Sequence, residues 1–167
     1  VYGNAKIAKL HAQTLSEEYH NLQFNLIDDA SQAKDGRLNL LTCYPDDTPC
    51  KMGESTSDAG KASFASLQRA CQDLKTGKVQ ALVTAPINKE NIQSEQFHFS
   101  GHTEYLTEQF GEGHDSLMMM VSDAMRVALV CNHTPISKVP QMITEERILR
   151  KLHTLNQTLQ DDFTIQK

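Results

Sequence analysis

No apolar run in this sequence approaches the roughly 20 residues that a membrane-spanning helix needs, and nothing at its start resembles a secretory leader. Excess positive charge is missing as well: 16 Lys and Arg stand against 21 Asp and Glu, a formal net charge of −5 and a pI near 5.8. A nucleic-acid binder draws its affinity from surplus basic charge, so the chain is a poor match to that class, whereas one anionic small molecule needs only a few well-aimed donors. None of the four cysteines (Cys43, Cys50, Cys71, Cys131) forms a C-x-x-C pair. A structural zinc site on these spacings is not expected, and the thiols read as buried or idle in a reducing cytosol. There is no G-x-G-x-x-G and no G-x-x-x-x-G-K-[ST], which argues against Rossmann and P-loop nucleotide sites. No serine occupies a nucleophile elbow, and repeats and low-complexity tracts are lacking. The chain also lacks an initiating Met, which suggests processing or a cut.

What is present is a chain of 167 residues, 39% hydrophobic, the size of one ordinary domain or two small ones. Helical and strand periods alternate along it, which defines an α/β class. Residues 4–15 read as a helix and residues 37–43 as a strand. A loop over 45–57 follows, rich in Pro, Asp and Gly. Ser57 and Asp58 are placed to cap a long helix whose apolar stripe is Phe64, Leu67, Cys71 and Leu74, ended by Gly77. The nearly continuous apolar run 79–85, closed by Pro86, suits a strand buried on both faces of a parallel sheet. A short helix over 88–94 is expected next, then a helix from His102 to Phe110 stopped by Gly111. Residues 117–121 and 126–131 read as two strands, close enough to form a hairpin within a mixed sheet. Thr144 caps a last helix to about Gln160, with Glu145 and Glu146 favoured by the dipole in its first turn.

Seven histidines are the most varied chemical resource. His11, His20, His114 and His153 read as solvated surface residues, and His98, between two phenylalanines, as a packed loop residue. His102 stands in the string Ser100-Gly101-His102-Thr103-Glu104 just before a helix. There glycine, unpaired first-turn N–H groups, an imidazole and a hydroxyl can converge on a phosphate or carboxylate. An ordinary helix cap with an incidental His fits that pattern equally well. His133 follows an apolar strand and precedes Pro135, where open α/β sheets place active-site residues. Its imidazole is a candidate divalent-metal ligand, although no second ligand lies at a short spacing. Lys89, at the end of another apolar run, could pair with an anionic substrate, move a proton, or simply be solvated. Met118 to Met120 read as core filling.

Five strings in one order carry a resemblance: Gly60 to Leu67 (GKASFASL), Ala81 to Lys89 (ALVTAPINK), Phe99 to Leu106 (FSGHTEYL), Leu117 to Met120 (LMMM) and Arg126 to Pro135 (RVALVCNHTP). Together they resemble the 4-hydroxythreonine-4-phosphate dehydrogenases of pyridoxal phosphate biosynthesis, most clearly from Asp58 to Thr144. The resemblance implies an isocitrate/isopropylmalate-dehydrogenase-like α/β fold, with a mixed, mostly parallel sheet flanked by helices, in a cytoplasmic homodimer without nucleic-acid or membrane partners. It implies oxidation of the secondary alcohol of 4-phosphooxy-L-threonine by NAD or NADP. Loss of the carboxylate as carbon dioxide then yields 3-amino-2-oxopropyl phosphate. A divalent metal (zinc, magnesium or cobalt) would polarise the alcohol and then the ketone.

Carried over by position, His102 and Thr103 match the family's substrate-binding pair, and His133 matches the first of its three metal-binding histidines. The other two, in Asn-Pro-His-Ala-Gly and Tyr-His-Asp-Gln-Gly segments, have no counterpart here. Neither do most of the NAD site and an N-terminal strand with its Gly-Pro-rich loop. Cys131-Asn132 replaces a commoner Thr-Thr pair. The chain is therefore expected to be a central fragment, truncated at both ends, with residues 1–57 from the first lobe and 58–167 carrying the substrate and metal histidines. One metal ligand of three is expected to leave the isolated piece inactive. A related dehydrogenase of another phosphorylated four-carbon acid or diol, and a non-catalytic anion-binding fragment, are the competing readings.

Overall fold

The structure, a computed structural model, describes residues 1–112 and 116–165. They fall into two compact units, Val1–Glu112 and Gly113–Lys167. His114 lies outside the described residues.

The first unit begins with β1 (Tyr2–Gly3), α1 (Ala5–Ala12), a single turn α2 (Glu17–His20), β2 (Asn25–Ile27) and β3 (Asn39–Thr42). The three strands form a parallel sheet in the order β1-β3-β2, with Tyr2 opposite Leu41 and Leu26 opposite Leu40. Its centre is apolar, since Leu40 and Leu41 are buried. Asn4 fixes where α1 starts. Its buried side-chain oxygen accepts from the N–H groups of Lys6 and Ile7 at 2.9 and 3.2 Å, and its amide donates to the Tyr44 carbonyl and the Asp46 carboxylate. One side chain thus caps the helix and anchors the loop that follows β3.

The long helix α3 (Ser57–Lys75) is the spine of the unit. Thr56, one residue before the expected Ser57, is its cap, with its hydroxyl accepting from the Ala59 N–H at 3.2 Å. At the other end Gly77 takes the left-handed φ of +72°. The Gly77 and Lys78 N–H groups then reach back to the carbonyls of Leu74 and Asp73, satisfying two otherwise orphaned acceptors. The expected apolar stripe is present as buried Phe64, Leu67 and Cys71. The buried residue near the end of the helix is not Leu74 but Asp73. Its carboxylate accepts from the Tyr2 hydroxyl at 2.9 Å and lies 3.5 and 3.8 Å from Arg69 and Lys78. Both cations also reach Asp29, so β1, α3 and the turn after β2 meet in one charged cluster. Burial and the neighbouring Asp73 push the Tyr2 phenol well above its ordinary range, and the Lys78 ammonium holds the partly exposed Asp29 carboxyl well below its own.

Against α3 packs a core of Phe64, Leu67, Cys71, Ile92, Phe97 and Tyr105. Phe97 is at its centre, 5.6 Å from Phe64 and 5.4 Å from both Phe99 and Tyr105, in edge-on or tilted ring contacts. His98 is not packed as expected. Alternation along 97–99 turns the two phenylalanines inward and leaves His98 exposed, with a ring nitrogen 2.7 Å from the Glu95 carbonyl.

Two further expectations fail here. Residues 79–85 do not form a strand, and Val83 is 96% exposed. An apolar run becomes a strand only when another backbone lies beside it, and no described strand does so. The helix expected over 88–94 is instead a series of turns opened by Asn88, whose side chain accepts from the N–H groups of Glu90 and Asn91. That local bonding competes with the helical ladder and wins over so short a stretch.

In the second unit β4 (Met119–Val121) and β5 (Arg126–Ala128) form the expected antiparallel hairpin. Among the described residues it is a two-stranded sheet rather than part of a mixed one, its strands pairing with each other. Met120 and Val121 are more than half exposed, so the methionine run is not simply core filling. After α5 (Val139–Met142) comes α6 (Glu145–Asp161), capped by Thr144 as expected. The Arg147 guanidinium donates to the Val130 carbonyl at 3.1 Å and Lys151 to the Ser116 carbonyl, fastening α6 to both flanks of the hairpin. Among the described residues no helix is long and apolar enough to cross a membrane. All four cysteines are free thiols, only Cys71 fully buried.

At Gly60 the turn at 88–92 crosses α3 so closely that a Cβ would lie 1.8 Å from the Asn91 carbonyl oxygen. Gly60→Ala must therefore push that turn off the helix. Thermal or denaturant unfolding of the variant is expected to show a loss of about 3 kcal/mol or more, the upper range for overpacking. A loss below about 1 kcal/mol, the ordinary scale of a surface change, would contradict the contact.

Candidate functional site

Helix α4 (His102–Phe110) carries the substrate pair expected from sequence. Its position is set by aromatic packing on both sides of its start. Phe99, two residues before Gly101, and Tyr105, four after it, have ring centroids 5.3 Å apart and share the Phe97 contact. Gly101 is the N-cap and brings no side chain to bond the first turn. The opening N–H groups of α4 thus receive no bond from the cap residue's side chain, at the positive end of a helix of nine residues. His102 and Thr103 are its first two residues, both half-buried. Desolvation lowers the pKa of the His102 imidazole, so in the folded protein it is held neutral more strongly than an ordinary histidine.

Gly101 has an extended backbone, φ 172°, that any residue can adopt, so glycine is not required there by conformation. What its missing side chain leaves is space. A Cβ at that position would lie 3.6 Å from the Lys89 ε-carbon and 3.7 Å from a carboxylate oxygen of Glu104. Lys89, read from sequence as a residue at the end of an apolar run, is thus beside the α4 entrance. Sequence reasoning missed what puts it there. The Gln93 side-chain amide donates to the Lys89 carbonyl at 3.0 Å and to the Phe99 carbonyl at 2.9 Å, joining the lysine turn to the segment that leads into α4. Asn88 donates to Ser55 at 3.2 Å, and the Gly60 contact seats the same turn on α3. Gly60 and Gln93 carried no signal of this role, because both act through contacts far apart in sequence.

His133 belongs to the second unit, five residues beyond β5. It is exposed and has a left-handed φ of +50°, uncommon for a residue with a β-carbon. A backbone of that kind, held at a strand exit, is frequent at functional positions. His11, His20 and His153 are exposed, as expected. Among the described residues no three His, Cys, Asp or Glu side chains stand together as a metal-holding group.

A parallel sheet with flanking helices and a glycine-opened helix start bearing His102 and Thr103 give the first unit an α/β architecture, and the second unit by itself carries His133 with its left-handed backbone after a hairpin. The family profile of the pyridoxal phosphate biosynthetic protein PdxA matches residues 1–167, and the chain belongs to that family. It is 38% identical over 165 residues to a 4-hydroxythreonine-4-phosphate dehydrogenase of Bacteroides thetaiotaomicron, a match covering 99% of this chain and 44% of that protein. A Bradyrhizobium diazoefficiens relative, provisionally named a D-threonate 4-phosphate dehydrogenase, is 32% identical over 122 residues, 73% of this chain and 35% of its own. The crystal structure of a 4-hydroxythreonine-4-phosphate dehydrogenase from Burkholderia phymatum superposes with a TM-score of 0.77 at 30% identity, covering 94% of this chain and 47% of that one. The Klebsiella pneumoniae enzyme of the same name, at 22% identity and a TM-score of 0.80, shows the shared fold. The chain spans about half the length of these two solved structures.

The imidazole at the head of α4 gives a direct test. Because its folded pKa is depressed, the native state binds fewer protons than the unfolded chain. This histidine therefore costs no stability above about pH 6.5, the ordinary imidazole value. Stability is lost as pH falls from there through the folded pKa. An NMR titration should place the His102 midpoint below about 6.5, and inorganic phosphate should raise it. A midpoint above that value would remove the desolvated imidazole from the site.

Proposed function

We propose that the full-length protein containing this chain oxidises the secondary alcohol of a phosphorylated four-carbon acid, with 4-phosphooxy-L-threonine as the preferred substrate. NAD or NADP takes the hydride, the carboxylate leaves as carbon dioxide, and 3-amino-2-oxopropyl phosphate is the product. The observation that carries this reading is the family match over residues 1–167; the position of His102 and Thr103 as the first two residues of a helix with no side-chain cap supports it.

Within the reaction these residues bind and orient. The α4 N–H groups and the Thr103 hydroxyl are hydrogen-bond donors for a substrate oxyanion. The His102 imidazole, kept neutral by desolvation, can offer a donor at one nitrogen and an acceptor at the other. His133 supplies one metal-ligand side chain. One imidazole does not make a metal centre, and among the described residues no group of three ligands completes it. In the whole enzyme the metal, zinc, magnesium or cobalt, would draw its other two histidines from segments not in this chain, together with most of the dinucleotide site. The same proposal places residues 1–57 in the first lobe, residues 58–167 in the region carrying both sites, and the intact enzyme in a cytoplasmic homodimer of the isocitrate/isopropylmalate dehydrogenase type.

A second reading, oxidation of a phosphorylated four-carbon hydroxy acid without the amino group, is favoured by the Bradyrhizobium relative and its D-threonate name. Rates of the full-length protein on the two phosphorylated acids decide between them. A non-catalytic anion-binding fragment remains the third reading, and failure of both substrates would favour it.

The 167-residue chain alone is expected to show no turnover with metal, dinucleotide and either acid supplied. In the full-length enzyme His133→Ala should lose bound metal and about 100-fold or more of the turnover rate. Metal analysis and dinucleotide reduction measure both, and a variant that keeps its metal and near-normal rate would refute the ligand assignment.

A further inference from the structure

We propose that Lys89 is a third substrate-binding residue, the cation that receives an oxyanion of the substrate at the mouth of α4. The proposal rests on the dehydrogenase reading above and goes beyond the His102–Thr103 pair. Its starting point is the approach of the Lys89 ε-carbon to within 3.6 Å of the point where a Gly101 Cβ would stand. Gly101 has an ordinary extended backbone, and alanine would fit at normal contact distances. Neither conformation nor crowding therefore explains the glycine. What the glycine does is bring the Lys89 stem and the Glu104 carboxylate to ordinary contact distance of the α4 N-cap.

Charge gives the second argument. An anion arriving at α4 meets the Glu104 carboxylate, whose oxygen is 3.7 Å from the same point. Two like charges at such a distance repel, and the helix N-terminus offsets only part of that. A cation beside the same point reverses the balance, and the Lys89 stem approaches it as closely as Glu104 does. A third argument is that the lysine is held. Its backbone is fixed to the α4 entrance by the two hydrogen bonds of Gln93, and its turn is seated on α3 at Gly60. A lysine on a fixed backbone loses less freedom on binding than one on a mobile loop. Gln93 is accordingly a positioning residue, acting through Lys89.

Phosphate and carboxylate share the chemistry that Lys89 recognises, and analogues separate them. In the full-length enzyme, Lys89→Met and Lys89→Arg are compared with wild type. The readouts are KM and kcat for the phosphorylated substrate, and inhibition constants for two analogues, one lacking the phosphate and one lacking the carboxylate. Lys89→Met is expected to raise KM about 10- to 100-fold, the scale of one lost charge-assisted hydrogen bond, with kcat changed far less and Lys89→Arg recovering most of the loss. The inhibition constant of one analogue should stay unchanged, and the group missing from that analogue is the one Lys89 holds. An unchanged KM, or an equal rise for all three ligands, overturns the assignment. If wild type oxidises neither phosphorylated acid, the dehydrogenase reading falls and the lysine is tested separately by inorganic phosphate. A phosphate-induced shift of the His102 NMR signal that is lost in Lys89→Met keeps the assignment, and no shift, or an equal shift in both proteins, overturns it.

Discussion

Where α3 carries no side chain, at Gly60, the backbone of another segment lies against the helix itself. That contact is the constraint from which the rest of the first unit follows. With the Asn91 carbonyl seated on α3, Ile92 enters the core and Phe97 reaches the centre of the aromatic cluster. Phe99 and Tyr105 then close over it and fix the start of α4. Edge-on aromatic contacts contribute about 0.5–1.5 kcal/mol each beyond simple burial. They are directional, so they set the angle of α4 as well as its attachment.

Most local signals in the sequence were reliable where structure is local, the expected 88–94 helix being the exception. The helix His102–Phe110, the last helix with its Thr144 cap, the Gly77 stop and the tight hairpin were all legible, because each depends on bonds within a few residues. Thr56 displaced Ser57 as a cap by one position, within the usual uncertainty of helix ends. Non-local features were not legible. Residues 79–85 have the composition of a buried strand, yet composition names no partner, and none of the described strands pairs with them. The three-residue β2 has too little pattern to stand out before the parallel ladder with β3 is known.

The candidate site divides in the same way. His102, Thr103 and His133 stood out because each sits at an element boundary, where backbone groups or strand ends become available. Lys89 was visible as a residue type at a run's end but not as a neighbour of Gly101. That proximity depends on Gln93 bonding two segments at once and on a glycine one helix away. The left-handed backbone of His133 was also hidden, since nothing in Cys131-Asn132-His133 demands it.

The two ends of the first unit are held by different physics. Around Asp73 the fastening is ionic, two cations shared between the buried Asp73 carboxylate and the partly open Asp29 carboxylate. At the α4 mouth it is a neutral amide that donates twice to backbone carbonyls. Dissolved ions weaken the first kind of attachment and leave the second nearly untouched. A rise in ionic strength should therefore loosen the Asp29 side of the join while the α4 mouth keeps its register.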